Sequence, residues 1–222
     1  MDREFQTYLV TQEDLSAGRS TEAIVTEALA GGVDAVQVRE KHRSAAQQLQ
    51  IARRLREPTA DAGVSLIVND RIDVAVAADA DGVHLGQDDL PVEAARQQLG
   101  EDAIVGQSVS TVEEATAAET AGADYLGVGA IYETSSKDDA GAPIGLDVVG
   151  SITDAVEIPF VGIGGVTPER AADVAAAGAD GVAVVTAITR ADDPAAATRE
   201  LASAVADGKR RREETAEMEG QA

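Results

Sequence analysis

The chain has no cysteine and no tryptophan, and aromatic residues make up only 2% of its 222 positions. Missing cysteines exclude disulfides and thiolate chemistry, and they suit a reducing compartment. No run of 18 apolar residues and no charged-then-apolar leader occurs, so a soluble, non-secreted, cytoplasmic protein is expected. Basic residues are short as well: 18 Lys+Arg stand against 40 Asp+Glu, a formal net charge of −22 at pH 7. A surface this acidic repels nucleic acid and anionic membranes, so neither is expected as a partner. The carboxylates are scattered rather than blocked into a tail and lysine is scarce, as in a protein adapted to a salt-rich cytoplasm, where salt screens self-repulsion. What is plentiful is small and apolar: hydrophobic residues reach 44%, mostly Ala and Val. That is enough for the core of one large domain, and no linker divides the chain.

A weak internal repeat is present. "GGVDAVQV", "ADADGVHL", "AGADYLGV" and "AGADGVAV" share a small-residue turn, an aspartate (Asp34, Asp81, Asp124, Asp180) and an apolar run. The spacings are too long and uneven for a solenoid; they suit a helix that ends at Ala-Gly and leads into a short strand. Read with that key, strands fall near Thr7–Val10, Ala35–Arg39, Ser65–Val68, Gly82–Leu85, Ile104–Gln107, Tyr125–Val128, Phe160–Gly162 and Gly181–Val184. Amphipathic, Ala-rich segments lie between them, several opening on Ser or Thr. Eight strands alternating with helices predict a single-domain α/β fold, a (β/α)8 TIM barrel over residues 1–206. A doubly wound open sheet is the alternative, but no G-x-G-x-x-G follows the first strand. Residues 207–222, charged and almost without apolar content, read as a disordered tail.

A barrel of this kind places its working residues at the C-terminal ends of the strands. Alternation along "DAVQVREKH" throws Gln37, Arg39 and Lys41 to one side and Val36, Val38 and Glu40 to the other. "NDR" (69–71) ends strand three, "HLGQDD" (84–89) strand four and "GQS" (106–108) strand five. Strand six runs into a long loop, and "GIGG" (162–165) and "VVTAI" (184–188) end the last two strands. Taken singly, each cluster has a plain structural reading: a helix start, an ordinary loop, close packing, or, for His84, a satisfied core imidazole. Together they converge. Gly164, Gly165 and Thr186 suit a phosphate after strands seven and eight. Asp70 and Asp89 suit Mg²⁺, which takes one or two carboxylates plus substrate phosphates. Gln37, Arg39, Lys41, Asn69 and Lys137 suit a larger anion, a diphosphate.

In that order, "QVREK", "NDRIDVA", "GVHLGQDD", "GQS", "DYLGVGAIYETSSK", "APIG", "GIGG" and "GVAVVTAI" resemble the motif series of the thiamine-phosphate synthases, over residues 7 to 190. The resemblance implies a barrel that joins hydroxymethylpyrimidine diphosphate to hydroxyethylthiazole phosphate and releases diphosphate. It puts Gln37, Val38, Arg39, Glu40, Lys41, Asn69, Ser108 and Lys137 at the pyrimidine diphosphate. Thr134, Ser135, Ser136, Gly165, Val185 and Thr186 fall at the thiazole phosphate, and Asp70 and Asp89 on Mg²⁺. Arg39, Lys41, Ser108 and Lys137 are the implied catalytic groups, and Tyr8 aligns with an aromatic near the pyrimidine. The implied partners are small molecules, and a homo-oligomer is compatible with the sequence. Two other readings stay open: a thiazole tautomerase-like relative, and a non-catalytic barrel that senses a phosphate ligand.

Overall fold

The computed structural model describes residues 5–136 and 141–219. Its strands are β1 (Thr7–Val10), β2 (Ala35–Val38), β3 (Ser65–Asn69), β4 (Gly82–Leu85), β5 (Ile104–Val109), β6 (Tyr125–Val128), β7 (Phe160–Ile163) and β8 (Gly181–Val184). All pair in parallel and in chain order, and β1 closes on β8 through Thr7–Val182 and Leu9–Val184. Closure excludes the open-sheet alternative.

Around the barrel run α1 (Thr21–Gly31), α2 (Ala45–Asp61), α3 (Ile72–Ala78), α4 (Val92–Leu99), α5 (Val112–Thr120), α6 (Gly145–Thr153), α7 (Pro168–Ala176), a single turn α8 (Thr186–Thr189) and α9 (Pro194–Glu219). Helix starts follow the Ser/Thr signals: Ser44 and Gln47 form a reciprocal capping box on α2, while Ser20 and Thr111 accept the Ala23 and Glu114 amides. Strand alternation sorts the core in two. Leu9, Val36, Val38, Leu66, Val83 and Leu126 point outward against the helices. Phe5, Tyr8, Ala35, Ile67, Ile104, Tyr125, Val161 and Ala183 fill the barrel floor.

The repeated aspartates have one job. Asp34, Asp81, Asp124 and Asp180 accept the backbone amides of Thr7, Leu66, Val105 and Phe160, at 2.6–2.9 Å. Each stands just before an even-numbered strand and ties down the start of the odd-numbered strand before it. The repeating unit is therefore a pair of strands.

The charged end departs from expectation. Residues 207–219 are not a separate tail but the continuation of α9. Gly208 lies so close to the α7 backbone that a Cβ there would meet the Ala172 carbonyl oxygen at 2.2 Å. Arg211 pairs with Asp173 at 3.1 Å, and Arg212 donates to the Gly178 carbonyl. Arg, Glu, Ala and Lys are good helix formers, so the segment needs few apolar residues once α7 supports it. Among the described residues, no helix is long and apolar enough to cross a membrane.

Candidate active site

The C-terminal strand ends open into a cavity of about 260 Å³. Gln37, Arg39, Lys41, Asn69, Asp70, Asp89, Ser108, Thr134, Ser136, Gly165, Val185 and Thr186 all line it. Seven segments far apart in sequence thus meet at one mouth, as the placement at strand ends predicts. Lys137 lies outside the described residues.

Three expected residues do not line the pocket. Val38 is buried in the layer between barrel and helices, since the strand period turns it away from its neighbours 37 and 39. Glu40 is 4% exposed, and its carboxylate accepts hydrogen bonds from the Thr11 and Thr21 hydroxyls (2.9 and 2.7 Å) and the Glu13 amide (3.0 Å). It ties the β1–α1 loop to strand two, so its role is structural. Ser135 is exposed and, unlike Thr134 and Ser136, is not part of the lining.

The basic side chains are held from behind. Thr11 Oγ1 accepts the Arg39 amide at 3.2 Å, and Arg39 Nη1 donates to Gln12 Oε1 at 2.7 Å, fixing one edge of the guanidinium. Lys41 Nζ stands 3.8 Å from Asp70 Oδ2. Asp70 has φ of 61°, the left-handed region that Asp and Asn tolerate best. Its amide donates to the His84 carbonyl, while Asp89 is held by the Gly86 amide at 2.7 Å. Burial and the neighbouring Asp89 carboxylate push the Asp70 carboxyl up to about 6, against the pull of Lys41 and Arg39. Two carboxylates held side by side in this way could share a cation.

On the far side, Gly164 and Gly165 adopt φ of 95° and 66°. The β6–α6 loop lies over them: the Ile131 and Tyr132 amides donate to the Ile163 and Gly164 carbonyls, both at 2.9 Å. A Cβ on Gly165 would meet the Glu133 carbonyl oxygen at 2.5 Å. That glycine therefore serves the loop's approach as well as the pocket wall. Arg170 braces the same corner, donating to the Gly165 carbonyl and stacking 4.6 Å over the Tyr132 ring.

Comparison with known proteins decides among the readings. A family model described as thiamine monophosphate synthase matches residues 7–188. The chain belongs to that family. It is 60% identical over 207 residues to the thiamine-phosphate synthase of Natronomonas pharaonis, covering 92% of this chain and 97% of the relative. With the enzyme of the same name from Haloarcula marismortui the identity is 58%, covering 93% and 99%. The thiamine phosphate pyrophosphorylase structure from Pyrococcus furiosus superposes with a TM-score of 0.85 at 39% identity, over 93% of this chain and 98% of that one. A 3-hexulose-6-phosphate synthase, at 18% identity and a TM-score of 0.66, shares the fold alone. The activity is thiamine-phosphate synthase, a transferase of thiamine biosynthesis acting on small molecules.

Sequence reasoning left part of the synthase pocket unassigned. Gln87, Asp88 and His84 also line it, beside Tyr8, which the resemblance had put near the pyrimidine, and behind Tyr8 and His84 stands the buried Tyr125. A signal existed for Tyr125. In a chain with only three Tyr and two Phe, Tyr8 and Tyr125 both occupy inward strand positions.

Proposed function

We infer that this pocket couples hydroxymethylpyrimidine diphosphate to hydroxyethylthiazole phosphate, with Gln37, Arg39, Lys41, Asn69, Ser108 and Lys137 on the first substrate. Thr134, Ser136, Gly165, Val185 and Thr186 take the phosphate of the second. The carrying observation is the convergence of Arg39, Lys41 and the Asp70–Asp89 pair on one side of a cavity whose other side is the glycine turn and Thr186. The pyrimidine methylene–oxygen bond breaks and its electron pair leaves with diphosphate. The thiazole nitrogen lone pair then forms the new carbon–nitrogen bond, and no proton has to move. The protein's contribution is alignment of the two substrates and stabilisation of the charge gathering on the leaving group. The Arg39 fork, steadied by Gln12, suits two diphosphate oxygens at once, and Lys41 adds a point charge.

Asp70 and Asp89 would hold Mg²⁺. The raised Asp70 carboxyl is the observation that fits the ion to the pair, because a divalent cation would offset both the burial and the Asp89 repulsion that raise it. Among the described residues no group of three or more His, Cys, Asp or Glu could hold a metal, so substrate oxygens and water would complete the shell. When bound, the ion supplies charge neutralisation to the departing diphosphate. The absence of cysteine is in keeping with work in the cytoplasm.

The test is steady-state coupling with both substrates while Mg²⁺ is varied. Asp89→Asn should lower the rate at saturating metal by roughly 10²-fold, about 3 kcal/mol of transition-state stabilisation, and raise the Mg²⁺ concentration needed for half-activation. Wild-type behaviour in both respects would remove Asp89 from the metal site.

A further inference from the structure

Five side chains from five strands form one continuous hydrogen-bonded chain across the barrel floor. Gln37 Nε2 donates to the Tyr8 hydroxyl at 2.9 Å. The Tyr8 and Tyr125 hydroxyls are 2.8 Å apart, the Tyr125 hydroxyl lies 2.9 Å from His84 Nδ1, and His84 Nε2 lies 2.9 Å from Ser108 Oγ. The two ends, Gln37 and Ser108, line the pocket; Tyr125, in the middle, does not.

One donor fixes the Gln37 end of the chain. An amide nitrogen only donates, so the Tyr8 oxygen accepts from Gln37, and the Tyr125 oxygen at 2.8 Å is the acceptor within reach of the Tyr8 hydrogen. Tyr125 in turn directs its own hydrogen to His84 Nδ1. An imidazole that accepts at Nδ1 and is neutral carries its proton on Nε2, and that proton goes to Ser108 Oγ. Having accepted from His84, the Ser108 hydroxyl turns its hydrogen to the pocket. Burial pushes both phenols well above their ordinary value, so both remain O–H donors.

The surrounding backbone is cut to fit these rings. His84, Gly106 and Tyr125 stand side by side in register on β4, β5 and β6. A Cβ on Gly106 would fall 2.2 Å from Tyr125 Cζ, and one on Gly127 would fall 2.9 Å from His84 Cε1. Neither glycine has a positive φ, so space rather than conformation demands it. Two strands give up a side chain to let Tyr125 reach His84 and His84 reach Ser108.

We propose that Tyr125 is a positioning residue of the synthase: through His84 it holds Ser108 as a one-way hydrogen-bond donor to the pyrimidine substrate. The proposal rests on the placement of Ser108 at that substrate. Without the Tyr125 hydroxyl, Nδ1 loses that donor and the balance shifts toward the Nδ1–H tautomer. Ser108 then donates back to His84 and turns away from the substrate.

The experiment is ¹⁵N NMR of the imidazoles at about pH 9, where histidine is neutral, together with coupling kinetics. The chain has two histidines, and His42→Gln assigns the spectrum. Wild-type His84 should be the Nε2–H tautomer; an Nδ1–H wild type overturns the proposal without need of any variant. Tyr125→Phe should shift His84 toward Nδ1–H and lower kcat/KM for the pyrimidine diphosphate about tenfold, the loss of one positioned hydrogen bond. The KM for thiazole phosphate should not change. Tyr125→Phe should add nothing in a Ser108→Ala background; additive losses overturn the relay. If Ser108→Ala alone keeps wild-type activity, the substrate placement of Ser108 is what fails, and with it the positioning role of Tyr125.

Discussion

Asp70 carries several constraints at one position. Its left-handed backbone turns the chain out of β3, its carboxylate faces Lys41 at 3.8 Å, and burial beside Asp89 raises its carboxyl to about 6. A group whose folded value lies above its unfolded one (3.8 by reference) binds its proton more tightly in the native state. Its contribution to stability is present in full below about pH 4 and is lost as pH rises through about 6. Metal-free protein should therefore gain melting temperature from this group as pH falls from 7 toward 5. Asp70→Asn keeps the backbone tolerance and removes the charge, so the metal-free variant should melt higher than wild type at pH 7 and lose that advantage by pH 4.5. Its coupling rate should fall roughly 10²-fold. Differential scanning calorimetry in chelator across that range checks the first outcome; equal midpoints at pH 7 would argue against repulsion at the pair. The residues with period-2 signals were legible in the sequence: Gln37, Arg39 and Lys41 share one face and line the pocket. Glu40 shows the limit. Alternation turns it away from the site, while the motif match alone put it at the substrate, and only the folded loop reveals three donors around its carboxylate.

At the scale of elements, the eight strands were readable to within two residues because each is a short apolar run bounded by turn signals. The last helix was not. Its apolar stripe ends at Val205, and the charged residues after it resemble a solvated tail. What extends the helix is tertiary contact with α7, through Gly208 and Arg211, which cannot be seen before the barrel is assembled. Truncation after Ala206 should leave coupling kinetics intact, since none of the described residues it removes lines the pocket. It should lower the melting midpoint by about 2–6 °C, from the loss of one packed helix face and an exposed ion pair worth under about 1 kcal/mol. An unchanged midpoint would mean that α9 beyond that point only rests against the barrel.

Taken as a whole, the molecule divides its carboxylates between two roles with opposite effects on stability. Asp34, Asp81, Asp124 and Asp180 each accept a strand-initiating amide at the face opposite the pocket. The much larger number on the exposed helix faces build the charge of −22 and repel one another. Salt separates the two. The Debye length falls from about 10 Å at 0.1 M to about 3 Å at 1 M, which removes repulsion between helices and leaves a partly buried 2.8 Å hydrogen bond little changed. The wild-type midpoint should therefore rise with KCl between 0.1 and 2 M. Asp61, exposed at the C-terminal end of α2, adds to the negative net charge and lies at the unfavourable end of the helix dipole. Asp61→Asn should raise the midpoint at 0.1 M and do nothing at 2 M. Asp34→Ala removes the same unit of charge but strands the Thr7 amide, and leaves the Thr7 hydroxyl only its 3.4 Å bond to the Gly32 carbonyl. It should cost about 1.5–3 kcal/mol at either salt, a midpoint drop of roughly 3–12 °C, with coupling rates at 25 °C near wild type. If Asp34→Ala were stabilising at low salt, repulsion would outweigh the strand tie, and the repeated aspartates would belong with the surface charge rather than with the barrel.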